Sequence, residues 1–107
     1  MARSYSEGFI TLVEEADPSR VGIMLAKVCL KAKLPAKYVA KAMNVSRMTM
    51  YSWFRGKPLR DKNQELVKIF IAIVEDDLAR GILPVNGIDK AKSYIENIVG
   101  TPIVDED

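Results

Sequence analysis

The sequence predicts an all-α fold, a compact domain of about five to six helices. Three observations lead to it. Apolar residues recur at spacings of three and four along most of the chain, the period of a helix with one buried face. Pro18, Pro35, Gly56, Pro58, Gly81, Pro84, Gly100 and Pro102 cut the chain into segments of helical length. Only IFIAIV, residues 69–74, is rich in β-branched residues, and no second convincing strand exists to pair with it.

At 107 residues the chain is one domain, large enough for a modest core without metal or disulfide. It has no histidine and one cysteine, Cys29, which excludes the usual zinc-ligand sets and any internal disulfide. Cys29 lies in an apolar helical stretch and reads as a buried thiol rather than a nucleophile. No glycine-rich phosphate loop, general base or acid cluster at nuclease spacing appears, so no enzyme and no cofactor are expected. The opening residues do not resemble a secretory signal, and the longest apolar run, 69–74, is far below the roughly 20 residues that cross a bilayer. A cytoplasmic setting without membrane contact is the expectation.

Three units follow one another: residues 1–18, 19–80 and 81–107. In the first, Ser4 and Glu7 resemble a capping box, and Tyr5, Phe9, Leu12, Val13 and Ala16 follow at helical spacing. An amphipathic helix over 5–16 is predicted, packed on the domain or against another subunit. Asp17-Pro18-Ser19 breaks it and can cap the next helix. Residues 19–33 then place Val21, Met24, Leu25, Val28 and Ala32 on one face, with Lys27 and Lys31 outside it.

Residues 35–56, PAKYVAKAMNVSRMTMYSWFRG, carry the most information. Pro35 suits the first position of a helix, and Tyr38, Val39, Ala42 and Met43 line one face of it. Ala40 provides the small side chain that a helix crossing needs. Asn44 enters the left-handed region readily and turns the chain; Val45 plugs the corner. Ser46 is an N-cap for a second helix, whose Met50, Trp53 and Phe54 face inward. Arg47, Met48, Thr49, Tyr51, Ser52 and Arg55 are left on or near the opposite face, and Gly56 and Pro58 stop the helix.

Val39-Ala40, Met43 to Ser46, Thr49-Met50, Trp53 and Gly56 together resemble the helix-turn-helix of repressor-type DNA-binding proteins, the lambda-repressor or Xre-like group. Asn44 departs from that pattern, which more often has glycine there. The resemblance implies sequence-specific binding of double-stranded DNA, with Ser46 to Arg55 as the recognition helix in the major groove. It would let Arg47 donate a bidentate pair to guanine, Thr49 and Ser52 touch a base or phosphate, Met48 meet a thymine methyl, and the Tyr51 hydroxyl reach the backbone. The bland alternative for Arg47 and Arg55 is a pair of solvated helix residues.

Charge distribution points the same way without the motif. Residues 27–62 hold ten basic residues, among them Lys37, Lys41, Arg47, Arg55, Lys57, Arg60 and Lys62, against Asp61 alone, while the flanks are acidic and the whole chain is only +2. A phosphate-binding face in a soluble protein produces such asymmetry. Lys57, Arg60 and Lys62, in the GKPLRDKN loop, are placed to lie along the DNA backbone; Asp61 or Asn63 can cap the helix that follows.

Residues 62–80 form the longest predicted helix. Leu66, Val67, Ile69, Phe70, Ile71, Ala72, Ile73, Val74 and Leu78 make it apolar around most of its circumference, so the last helix, another subunit or both must cover it. Glu75-Asp76-Asp77 is splayed over about 200° of a helix and reads as a solvated face rather than a metal site. A last helix over 88–99 has Ile88, Ala91, Tyr94 or Ile95, and Ile98 as its stripe, and an acidic tail follows.

The leading functional expectation is a homodimeric transcriptional regulator, because one recognition helix reads few base pairs and pairing spaces two of them about 34 Å apart. Similarity to the small terminase subunits of tailed phages, rings that hand DNA to a packaging motor, is the alternative. An antitoxin or protein-binding adaptor is a third.

Overall fold

The computed structural model describes residues 5–104 and contains six helices and no strand among them. They are α1 (Glu7–Glu15), α2 (Val21–Ala32), α3 (Ala36–Met43), α4 (Arg47–Phe54), α5 (Asp61–Ala79) and α6 (Ile88–Val99). The all-α expectation holds, and IFIAIV lies inside α5. One hydrophobic cluster runs from Tyr5 to Ile103, so both ends of the described chain pack into the same core.

α2 is the central helix, touching α1, α4 and α5. Gly22, Ile23, Leu25, Ala26, Val28, Cys29 and Ala32 are all buried, so it is covered over most of its circumference. The single face expected for it is too narrow: Met24 is exposed and Val21 only half-buried, while Ile23, Ala26 and Cys29 are inside. The near-neutral small residues Gly22 and Ala26 permit this, since they let neighbouring backbones come close. Gly22 sits against the backbone of Trp53 in α4, where a Cβ would stand 2.0 Å from the carbonyl oxygen.

The broad burial expected for α5 is correspondingly absent. Val67, Phe70, Ile71 and Val74 are buried, one ordinary helical face, and α5 packs mainly on α2 and also on α3. Leu66, Ile69 and Ile73 remain 43%, 60% and 38% exposed. The last helix leaves that stripe uncovered because α6 lies on α3, reaching α5 through Tyr94, whose hydroxyl donates to Asp77 at 2.6 Å.

Several boundaries shift from expectation for local reasons. Ser4 lies outside the described residues; α1 starts at Glu7, with the Ser6 hydroxyl accepting from Phe9 N–H at 3.1 Å. Tyr5 therefore precedes the helix and turns inward, donating to the Leu34 carbonyl at 2.7 Å. Asp17 binds the N–H and hydroxyl of Ser19 at 3.0 and 2.8 Å, but Arg20 is the N-cap of α2. Pro35 is the N-cap of α3 rather than its first residue, and Arg60, not Asp61 or Asn63, precedes α5. Among the described residues, no helix is long and apolar enough to cross a membrane.

Candidate nucleic-acid interface

α3 and α4 are joined by Asn44, Val45 and Ser46, and the turn is built by their backbones. Asn44 adopts φ 58°, ψ 44°, the left-handed region that asparagine tolerates. Its N–H returns to Lys41 and that of Val45 to Ala40, at 3.1 and 3.0 Å, which satisfies carbonyls left open at the end of α3. Ala40 is buried at this corner, and Val45 packs half-buried against the core. α3 rests directly on α4.

Ser46 begins α4. Its hydroxyl oxygen accepts from Thr49 N–H at 3.0 Å and its hydroxyl donates to Thr49 Oγ1 at 3.0 Å. Two of the site residues are thus tied together at the helix N-terminus, and Ser46 serves first as a cap. Met50, Trp53 and Phe54 are buried, as expected. At the other end Gly56, with φ 95°, turns the chain so that its N–H reaches Trp53 at 2.8 Å and Lys57 N–H reaches Ser52 at 3.1 Å.

With that face buried, Met48, Tyr51, Ser52 and Arg55 share the opposite face at spacings of three and four, and Arg47 and Thr49 flank it. Met48 is 81% exposed, and Arg47 and Arg55 are exposed as well. Thr49 and Ser52 are half-buried. Tyr51 is held from beneath: its ring meets Phe9 and Phe54 edge-on, each at 5.8 Å, while Tyr5 and Phe9 stack at 5.5 Å. This aromatic cluster fixes the roll of α4 about its own axis, and the role of Phe9 in it has no local sequence signal.

Lys57 and Arg60 are exposed in the segment that leaves α4. Among the described residues, Arg47, Arg55, Lys57 and Arg60 are in no ion pair, so their charges are available to a ligand. Lys37 belongs to a different helix: it stands in the first turn of α3 with Nζ 5.0 Å from the centre of the Tyr38 ring. Arg20 is the site-supporting residue that sequence reasoning missed. Its guanidinium donates to the Gly56 carbonyl at 2.8 Å and pins the start of the basic loop to the N-terminus of α2. A contact across 36 residues leaves no pattern in the sequence.

Of the acidic residues 75–77, Asp76 and Asp77 have protein partners, and Glu75 is exposed. Arg80 lies 3.6 Å from Asp76 and 3.9 Å from Asp77, which also receives the Tyr94 hydroxyl. Burial, with that bond to Asp77, pushes the Tyr94 phenol above its ordinary range. Burial likewise raises the Cys29 thiol and the Tyr5 phenol, so both stay protonated at neutral pH.

No protein family, curated protein or solved structure matches the chain. The repressor-like resemblance therefore rests on its residues alone.

Proposed function

We propose that the chain binds double-stranded DNA, with the outer face of α4 entering the major groove, and that it acts as a homo-oligomeric transcriptional regulator. The observation that carries this reading is the row Met48, Ser52 and Arg55, flanked by Arg47, solvent-facing or half-buried, on a short helix whose opposite face is anchored by Met50, Trp53 and Phe54. A basic loop with unpaired Lys57 and Arg60 continues from it. Rigid anchoring matters because base readout needs donors held in register with the groove. Arg47, Met48, Thr49 and Ser52 are assigned to base edges; Ser46, Tyr51, Arg55, Lys57, Arg60 and Lys37 to positioning on phosphates.

Selection of bound duplexes from a random pool, followed by titration of the enriched site, tests this. Arg47→Ala is expected to weaken the enriched site by about 1–3 kcal/mol and random DNA much less. Lys57→Ala and Arg60→Ala are expected to weaken both and to lower the salt slope by about one each. No DNA binding at low salt by a folded sample would sink the proposal.

The exposed stripe on α5 favours self-association, which a ring-forming packaging subunit also needs. Native mass separates the two: dimers support the regulator, and rings of many subunits support packaging.

A further inference from the structure

We infer that two copies of this chain pair antiparallel along α5 about a two-fold axis at Ile69. The inference deepens the self-association part of the proposed function and is independent of whether α4 contacts DNA. Leu66, Ile69 and Ile73 are exposed and lie three and four residues apart, with Lys62 four before them and Asp76 three after. The row 62, 66, 69, 73, 76 has the alternating spacing of a helix-pairing seam. Scattered surface apolar residues are ordinary, but three large ones in a continuous row over two turns are not. The far side of α5 buries Val67, Phe70, Ile71 and Val74, and the helix packs on α2 and α3, so the stripe is presented on a fixed helix.

Charge selects both the occupant and its direction. Lys62 stands seven residues before Ile69 and Asp76 seven after it. A two-fold axis at Ile69 therefore brings Lys62 of each copy to Asp76 of the other, with the six apolar side chains between. Parallel pairing would instead set Lys62 beside Lys62 and Asp76 beside Asp76, a like-charge penalty at both ends. Asp76 already lies 3.6 Å from Arg80, an exposed contact that can be shared or exchanged without leaving a buried charge. In the antiparallel pair the two Asp61 residues stand about 24 Å apart along the helices at 1.5 Å per residue.

Sedimentation and cysteine cross-linking of the full chain without DNA test the pairing. The mass is expected to double as concentration rises to millimolar. Ile69→Lys should remain monomeric with an unchanged helical spectrum, because Ile69 faces water in the single chain. Lys62→Glu should weaken association about threefold to tenfold, and adding Asp76→Lys should restore it. Under mild oxidation Ile69→Cys should link to its own copy, since the axis brings the two positions within disulfide reach. Lys62→Cys should link to Asp76→Cys at least about tenfold faster than either links to itself. A monomer at millimolar concentration, self-linking of Lys62→Cys or Asp76→Cys at equal rate, or a ring would overturn the inference. Loss of DNA binding with a doubled mass would refute the proposed function and leave the pairing intact.

Discussion

Replacing Gly22 by alanine should separate α2 from α4 and destabilise the whole domain. The added Cβ would lie 2.0 Å from the Trp53 carbonyl oxygen and 2.6 Å from its carbonyl carbon. An ordinary carbon–oxygen contact is about 3.3 Å or more, so the helices must part by over an ångström. Both partners are backbone, and no rotamer change relieves the clash. Overpacking of this kind costs about 1–3 kcal/mol, here near the upper end. Alanine regains up to about 1 kcal/mol over glycine inside a helix, leaving a net loss of about 2 kcal/mol. For a domain of this size that lowers the melting temperature by roughly 8–16 °C. Urea unfolding followed by Trp53 fluorescence measures it, with Gly8→Ala as the control. A Cβ at Gly8 meets nothing within 4 Å, so that variant should be more stable by about 0.5–1 kcal/mol. If Gly22→Ala matched or exceeded the parent in stability, the close approach of α2 to α4 would be wrong.

Asn44→Gly should change stability little, whereas Asn44→Val should cost about 1–2 kcal/mol, because a branched residue is strained at φ 58°. Chemical denaturation distinguishes them, and equal effects would remove the left-handed turn. Ser46→Ala should cost about 1 kcal/mol by removing the cap of α4, with amide exchange at Thr49 accelerating before that of the core. Above pH 10 the folded state should weaken: Tyr5 and Tyr94 have raised pKa values, so their stabilisation is full below the ordinary tyrosine value near 10 and is lost as pH climbs past it. A Tyr5→Phe, Tyr94→Phe double variant should show a shallower alkaline decline; an unchanged slope would refute the burial of both phenols. The Cys29 thiol, fully buried, should react with a disulfide reagent only at the rate of opening, and rapid native-state labelling would contradict its placement.

Legibility in the sequence tracked the range of the interaction. Ser46, Asn44 and Gly56 act within four or five residues, and their cap, turn and stop were readable one by one. The inward face of α4 was readable because Met50, Trp53 and Phe54 differ so plainly from their neighbours. Tyr5 was misplaced by two residues of helix boundary, since Ser4–Glu7 and Ser6–Phe9 are both plausible caps and only the buried bond to Leu34 distinguishes their consequences. Arg20, Phe9 and Gly22 support the site through partners 36, 42 and 31 residues away, distances over which local periodicity carries no information.

By itself, then, the sequence determined six helical segments, the turn between α3 and α4, and which residues of α4 point away from the core. Periodicity and capping suffice for that, because both are settled by neighbours along the chain. Which helix lies at the centre was a tertiary decision. α5 carries the longest apolar run of the chain, yet α2 is the helix enclosed on most sides, because Gly22 admits the backbone of α4 while Leu66, Ile69 and Ile73 of α5 stay largely exposed. Burial depends on how many elements can approach a face, and only the assembled fold sets that number.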